Sequence, residues 1–235
     1  MRNDAGDVSQ TRLILRAMIE NHGSELVRRY FDRGPTDGSL FAGALFDTLG
    51  DNDPTRITAE DLVAVSLLDV RFGPDAVYRL LLRGEANSLL AAVDPALELW
   101  AAGAELDEQS AAWKLWRLLT GIPGIGPTKA SKLMSRKRPR LIPIVDSVIR
   151  AKLSLGNIDT WAAMRAVLED PETRDAIDGL RQTVEPVAGY SPSMLRLVDV
   201  LTWMHASESD AARTVRKRLG LPISTQAGAT DDDAR

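Results

Sequence analysis

The chain has no cysteine, and aromatic residues make up only 5% of its 235 residues. Without cysteine it can form no disulfide-linked partner, thiol nucleophile, zinc finger or cysteine-held iron–sulfur cluster. No apolar run approaches the roughly 20 residues that a membrane-spanning helix needs. The first residues also lack the hydrophobic core of a signal peptide. We therefore expect a cytoplasmic protein without a membrane partner.

Histidine is almost as scarce, since the chain holds only His22 and His205. These two residues lie far apart in sequence, and neither has a second ligand at helical spacing. The sequence therefore predicts no metal site built from histidine side chains.

The pattern of apolar residues is typical of helices, because they recur three and four positions apart through much of the chain. Thr58 with Asp61 resembles a capping box. The pairs Asp94-Pro95, Asp170-Pro171 and Ser191-Pro192 each place a capping residue before a proline, as at a helix start.

A strand-like run occurs at residues 141–145, but Pro143 lies inside it, so we interpret it as an extended connector. The sequence thus predicts an all-α fold. We expect a single all-helical domain over residues 8–220 and a disordered acidic tail over residues 221–235.

Charge is distributed unevenly, although the net charge is only −4. The segment from Trp113 to Lys152 holds ten basic residues and one acid, Asp146, so it carries +9 and the remainder of the chain −13. A solvated basic face is the ordinary explanation of such a run. Here the run coincides with a glycine-containing turn, which favours a phosphate-binding face.

That turn spans Gly121-Ile122-Pro123-Gly124-Ile125-Gly126-Pro127 and separates two amphipathic stretches. Gly124 and Gly126 permit a positive φ and close approach of a ligand to the backbone. Amides at the start of the following helix lack helical partners and attract phosphate. Pro127 stands where a P-loop needs its lysine, so a P-loop is excluded. A plain corner between two helices is the alternative.

The turn and the residues after it resemble the helix-hairpin-helix DNA glycosylases. Members of that family carry a Leu-Pro-Gly-Val-Gly hairpin and, about twenty residues later, a Val-Asp motif that opens a helix. Here Ile122-Pro123-Gly124-Ile125-Gly126 is followed by Pro143-Ile144-Val145-Asp146 at the same interval. The resemblance covers some thirty residues. It implies an orthogonal helical bundle with the helix-hairpin-helix at residues 109–136 and an aspartate-bearing helix from residue 146.

The resemblance also implies a function, namely binding of double-stranded DNA and release of a modified or mispaired base. Asp146 takes the place of the catalytic carboxylate, while an N-cap for the helix from Ser147 is the alternative. Thr128 occupies the position of the lysine nucleophile in bifunctional members, which implies base release without strand cleavage.

The residues expected to contact DNA are those of the hairpin and the basic helix after it. They are Gly124, Gly126, Thr128, Lys129, Lys132, Arg136, Lys137, Arg138 and Arg140. The resemblance further implies a K⁺ or Na⁺ ion at the carbonyls of Thr120, Ile122 and Ile125, and no other cofactor.

Aromatic residues are candidates for stacking on an extruded base. We would examine Tyr30, Phe31, Phe41 and Tyr190 first, although a structural role is the favoured interpretation of each. Core packing is the better interpretation for the tryptophans, Trp113, Trp116 and Trp203. Two other functions stay open: a non-catalytic helix-hairpin-helix module that binds DNA, and a helical protein-interaction protein.

Overall fold

A computed structural model describes residues 8–32, 41–101, 103–156 and 159–222, and these residues form an all-α fold with no strand. The α-helices are α1 (Ser9–Glu20), α2 (Gly23–Phe31), α3 (Ala59–Ser66), α4 (Pro74–Val77), α5 (Asn87–Ala91), α6 (Ala111–Thr120), α7 (Pro127–Lys137), α8 (Ser147–Lys152), α9 (Thr160–Glu169), α10 (Pro171–Ala188), α11 (Met194–Ala206) and α12 (Asp210–Arg218). A π-helical turn, Tyr78–Leu82, continues α4, and 3₁₀ turns occur at Ala42–Leu45, Leu99–Ala101 and Gly103–Leu106. No helix within the described ranges is both long and apolar enough to span a bilayer.

Local capping signals predicted two helix starts correctly, those of α3 and α10. The capping box at α3 is confirmed, because Thr58 and Asp61 each accept the backbone N–H of the other. Asp170 caps α10, which begins at Pro171. The prediction at Asp94-Pro95 is wrong, since Asp94 only forms a turn with the amide of residue 96.

The helix start predicted from Ser191-Pro192 is displaced by two residues, because α11 begins at Met194 and is capped by Ser193.

The proposed acidic tail lies outside the described residues from position 223 onward. Within the described part, a contiguous cluster of buried apolar side chains extends from Val8 to Leu221.

Most of the aromatic side chains pack in this core. Trp113 and Trp116 both meet the edge of Trp161, with ring centroids 5.7 and 5.4 Å from it, so their structural role is confirmed. Tyr30, Phe31 and Phe41 are also buried and stack against one another. The structural interpretation of these three residues is therefore confirmed, and their burial leaves them no surface for an extruded base.

Helix α7 is fixed by buried charges at its C-terminal end. Asp61 on α3 is fully buried, and its carboxylate lies 3.2 Å from Nε of Arg136 and 2.7 Å from Nζ of Lys137. Arg136 also donates to the carbonyl of Phe46, 2.6 Å away. Burial lowers the pKa of Lys137, and the hydrogen bond to Asp61 opposes that effect.

Arg138 is buried in the same way and donates to backbone carbonyls of Val93, Pro54 and Leu90. The expectation that Arg136, Lys137 and Arg138 contact phosphate is therefore corrected, because all three side chains lie inside the protein. Their charge is neutralised or solvated by internal partners rather than presented to a ligand.

Replacing Asp61 by Asn should destabilise the fold strongly, because it leaves two buried cations without their counter-ion. We expect a loss of about 3–5 kcal/mol in the free energy of unfolding, measured by urea denaturation. The control is Asp75→Asn, at an exposed carboxylate, which should change stability by less than about 0.5 kcal/mol. Equal effects of the two substitutions would contradict the assigned role of Asp61.

Candidate functional site

A cleft of about 1360 Å³ brings the glycine hairpin and Asp146 together. The hairpin, residues 121–126 between α6 and α7, forms one wall, and the segment of residues 66–73 after α3 forms another. The remaining lining residues are Thr120, Thr128, Lys129, Lys132, Asp146, Ser147, Val148, Trp203, Ser207 and Ser209. Two motifs that the sequence separates by some twenty residues thus share one cavity.

The hairpin exposes its glycines and buries its isoleucines. Gly124 has φ of +80° and is exposed, and a Cβ added there would meet no atom within 4 Å. Ile122 and Ile125 are each only 2% exposed and hold the turn against the core. Gly126 is extended and serves as the N-cap of α7. The backbone of the turn is therefore accessible to a ligand from the cleft.

Lys129 folds back onto the hairpin rather than extending into solvent. Its Nζ donates to the carbonyl of Gly124, 2.9 Å away. Close by, the Ile122 carbonyl accepts the amide of Ile125 at 3.0 Å, and the Thr120 hydroxyl donates to the carbonyl of Trp116. The K⁺ or Na⁺ ion expected at Thr120, Ile122 and Ile125 stays a prediction.

Asp146 is held at the cleft by the connector before it. The side chain of Ser131 on α7 accepts the amide of Val145 at 3.1 Å, and this bond joins the buried connector to α7. Asp146 then caps α8, with Oδ1 accepting the amide of Ile149 at 2.9 Å. Its side chain remains 17% exposed. The N-cap interpretation is confirmed, and the catalytic interpretation stays a prediction.

Lys132 differs from the expected surface phosphate ligand. It is 7% exposed, and its Nζ donates to the carbonyl of Leu68 at 2.8 Å on the opposite wall. The same nitrogen lies 3.9 Å from Oδ2 of Asp146. Arg140 is exposed but does not line the cleft, and it forms an ion pair with Glu98 at 3.5 Å. Neither residue therefore extends the hairpin contact in the way the sequence predicts.

A buried charge network lies behind the cleft, on α11. Arg196 forms ion pairs with Asp47 and Asp199, and Tyr190 donates its hydroxyl to Asp47 at 2.7 Å. Burial raises the pKa of Asp199 to about 6; Arg196 and Lys132 lower this pKa, while the negative charge of Asp146 raises it. Tyr190 belongs to this network and does not line the cleft, so its structural interpretation is confirmed as well.

Two residues of the cleft, Arg71 and Phe72, had no signal in the sequence, and Trp203 was assigned to core packing. Arg71 and Phe72 come from the segment of residues 66–73, and Trp203 comes from α11. Trp203 does pack edge-on against Tyr30 and Phe41, so it combines core packing with a face on the cleft. Phe72 lies 49 positions before the hairpin and Trp203 lies 77 positions after it, and only the fold shows that they are its neighbours.

Together, fold and site define an all-helical protein whose cleft is bounded by a glycine hairpin and an N-capping aspartate. Residues 24–206 match the model of a family of unknown function (DUF6308), and the chain belongs to that family. No curated protein sequence and no solved structure matches the chain. The resemblance to helix-hairpin-helix glycosylases therefore stays a prediction from the motif residues.

The electrostatic coupling between Asp199 and the cleft is directly measurable. Replacing Asp146 by Asn should lower the pKa of Asp199 below about 6, because a repelling negative charge is removed. Replacing Lys132 by Met should raise it, because an attracting positive charge is lost. The measurement is a ¹³C-carboxyl NMR titration, with Asp178→Asn on the exposed side of α10 as control. Identical titrations in all variants would contradict the coupling.

Proposed function

We propose that this protein binds DNA in the hairpin cleft and hydrolyses the bond between a base and its sugar beside Asp146. The single observation that carries the proposal is the shared cavity of about 1360 Å³, lined by both the exposed Gly124 turn and the Asp146 carboxylate. A cavity of this size exceeds typical small-ligand pockets and leaves room for a nucleotide with its backbone.

The polarity of the cleft suits an anionic ligand. Three helices begin at its rim, since residues from the first turns or caps of α7, α8 and α12 all line it. Unpaired amides and the helix dipole give each start a partial positive charge. Lys129, folded onto the hairpin, and Arg71, on the other wall, add two full positive charges to the lining of the cleft. A phosphate backbone that follows the hairpin would meet this positive field along its path.

The cleft also offers surfaces for an unstacked base. Phe72 is half-buried on one wall, and Trp203 is half-buried on another. Aromatic faces stabilise single bases by stacking, by about 1–3 kcal/mol each. A base turned out of the duplex would thus exchange stacking within DNA for stacking within the protein.

The chemistry assigned to Asp146 follows from its carboxylate. As the bond from C1′ to the base nitrogen breaks, positive charge develops on the sugar, and a neighbouring carboxylate stabilises it. The oxygen of a water molecule bonds to C1′, and the electron pair of the broken bond leaves with the base. The proton lost by the water passes through Asp146 to the departing base nitrogen, so atoms and charge balance.

A non-catalytic DNA-binding module is the second candidate, and one observation favours it. Both oxygens of Asp146 already have partners, with Oδ1 bound to the Ile149 amide and Oδ2 3.9 Å from Lys132. A carboxylate whose charge is partly neutralised stabilises a sugar cation less. Activity measurements on Asp146 variants separate the two candidates.

Duplex binding should depend on the backbone conformation of Gly124. In Gly124→Ala the left-handed conformation costs about 1–2 kcal/mol, so the turn shifts, and we expect duplex affinity to fall about tenfold. The matched control is Gly189→Ala at the end of α10, where φ is +75° and a Cβ would also meet nothing within 4 Å. It should lose similar stability and keep its affinity.

The measurement is fluorescence anisotropy of a labelled duplex over a series of salt concentrations. Wild-type affinity should fall as salt rises, because phosphate contacts release counterions. Absence of binding at low salt would refute the DNA proposal and leave the helical interaction protein as the surviving alternative.

Base release should depend on Asp146. We expect Asp146→Asn to lower the rate of base release by at least about 100-fold while duplex affinity stays equal or improves, because a negative charge near the phosphates is removed. The assay uses duplexes carrying different damaged or mispaired bases and detects abasic sites by alkaline cleavage. Release at the wild-type rate by Asp146→Asn would assign Asp146 to capping alone.

A further inference from the structure

Lys132 joins three parts of the cleft through one buried ammonium group. It stands on α7, its Nζ donates to the Leu68 carbonyl at 2.8 Å on the opposite wall, and it lies 3.9 Å from Asp146 at the start of α8. Its side chain is only 9% exposed. A lysine normally extends its ammonium to water, whereas this one ends inside the cleft.

Stability alone gives little reason for a charge at this position. Removing an ammonium from water is costly, and an apolar side chain of similar volume often serves the fold equally well. The buried Arg136 and Arg138 each make several hydrogen bonds that hold α7 in place, and Lys137 pairs with the buried Asp61 at 2.7 Å. Lys132 makes one hydrogen bond to a carbonyl, and its 3.9 Å approach to Asp146 is too long for another.

The geometry around Asp146 gives its two oxygens different roles. Oδ1 is occupied by the Ile149 amide at 2.9 Å. Oδ2 lies 3.9 Å from Nζ of Lys132, so a water oxygen placed beside this pair would reach both atoms at about 2.8 Å. A water held there would donate to the carboxylate and accept from the ammonium, which fixes its orientation.

We propose that Lys132 is a positioning residue that, together with Asp146, holds and orients the attacking water at the floor of the cleft. The inference rests on the function proposed above and assigns the position of its nucleophile. The Lys132 ammonium would destabilise positive charge on the sugar, so it does not stabilise the transition state. Its contribution is to orient the water. Asp146 accepts the water proton as the oxygen bonds to C1′.

The test compares Lys132→Met, which removes the charge, with Lys132→Arg, which keeps it. We expect Lys132→Met to lower base release about 100-fold, because the attacking water loses one of its two partners. Lys132→Arg should stay within about fivefold of the wild-type rate and within about threefold of the wild-type duplex affinity, because it keeps the positive charge and leaves the hairpin untouched.

A second readout needs no substrate, so it separates failure of this inference from failure of the proposed function. The ¹³Cγ resonance of Asp146 should move in Lys132→Met and return in Lys132→Arg, whereas Lys129→Met, a change on the same helix, should leave it in place. Should wild type release no base while the Asp146 resonance responds in this way, the proposed function fails and the pairing of Lys132 with Asp146 stands.

Three results would overturn the inference itself. The first is an Asp146 resonance that is unchanged in Lys132→Met. The second is wild-type activity in that variant. The third is an equal loss of activity in Lys132→Met and Lys132→Arg accompanied by equal loss of thermal stability, which would make Lys132 a structural residue. If Lys132→Met does not fold, Lys132→Gln replaces it, because Gln still donates to Leu68 without a charge.

Discussion

The cleft depends on the ion pair that Asp61 forms with the far end of α7. Asp61 holds Arg136 and Lys137 at the C-terminal end of that helix, and Arg138 binds the backbone around residues 54 and 90–93. Because a helix is stiff, fixing one end fixes the position of the other. The hairpin lies at the N-terminal end of α7, and Ile122 and Ile125 pack it against the core. Gly124 is therefore not needed to hold the hairpin in place and stays exposed.

This arrangement explains why the basic segment misled the sequence prediction. The basic residues between Trp113 and Lys152 indicated a phosphate-binding face, and this segment does carry a net charge of +9. Three of those charges are buried. Arg136 and Lys137 pair with Asp61, which lies 75 residues before Arg136, and Arg138 donates to backbone carbonyls. Nothing near Arg136 in the sequence distinguishes a buried arginine from an exposed one. By contrast, the cap at Thr58 and the turn at Gly124 are local features, and the sequence predicted both.

The candidate site also combines residues that the sequence predicts with residues that it does not. Gly124 and Asp146 were predictable because the interval between their motifs is short. Ser131 on α7 joins the two motifs through its hydrogen bonds with the backbone of Val145. The wall of residues 66–73 and the face of Trp203 could be found only from the fold, because packing of α3 on α7 and of α11 on α8 brings them to the cleft. Most of the cleft falls within residues 24–206, the part that matches the family, whereas Ser207 and Ser209 lie just beyond it.

The net charge of −4 is compatible with an anion-binding cleft, because much of the attraction comes from backbone amides that formal charge does not count. Helix starts at α7, α8 and α12 create that field, and Asp146 stands within it beside Lys132. The carboxylate of Asp146 therefore lies among the same groups that would attract a phosphate to the hairpin. A phosphate bound there would repel Asp146, and Lys132, a cation that lines the same cleft 3.9 Å from that carboxylate, opposes the repulsion. This opposition is a second reason for an ammonium at Lys132 and not an apolar side chain.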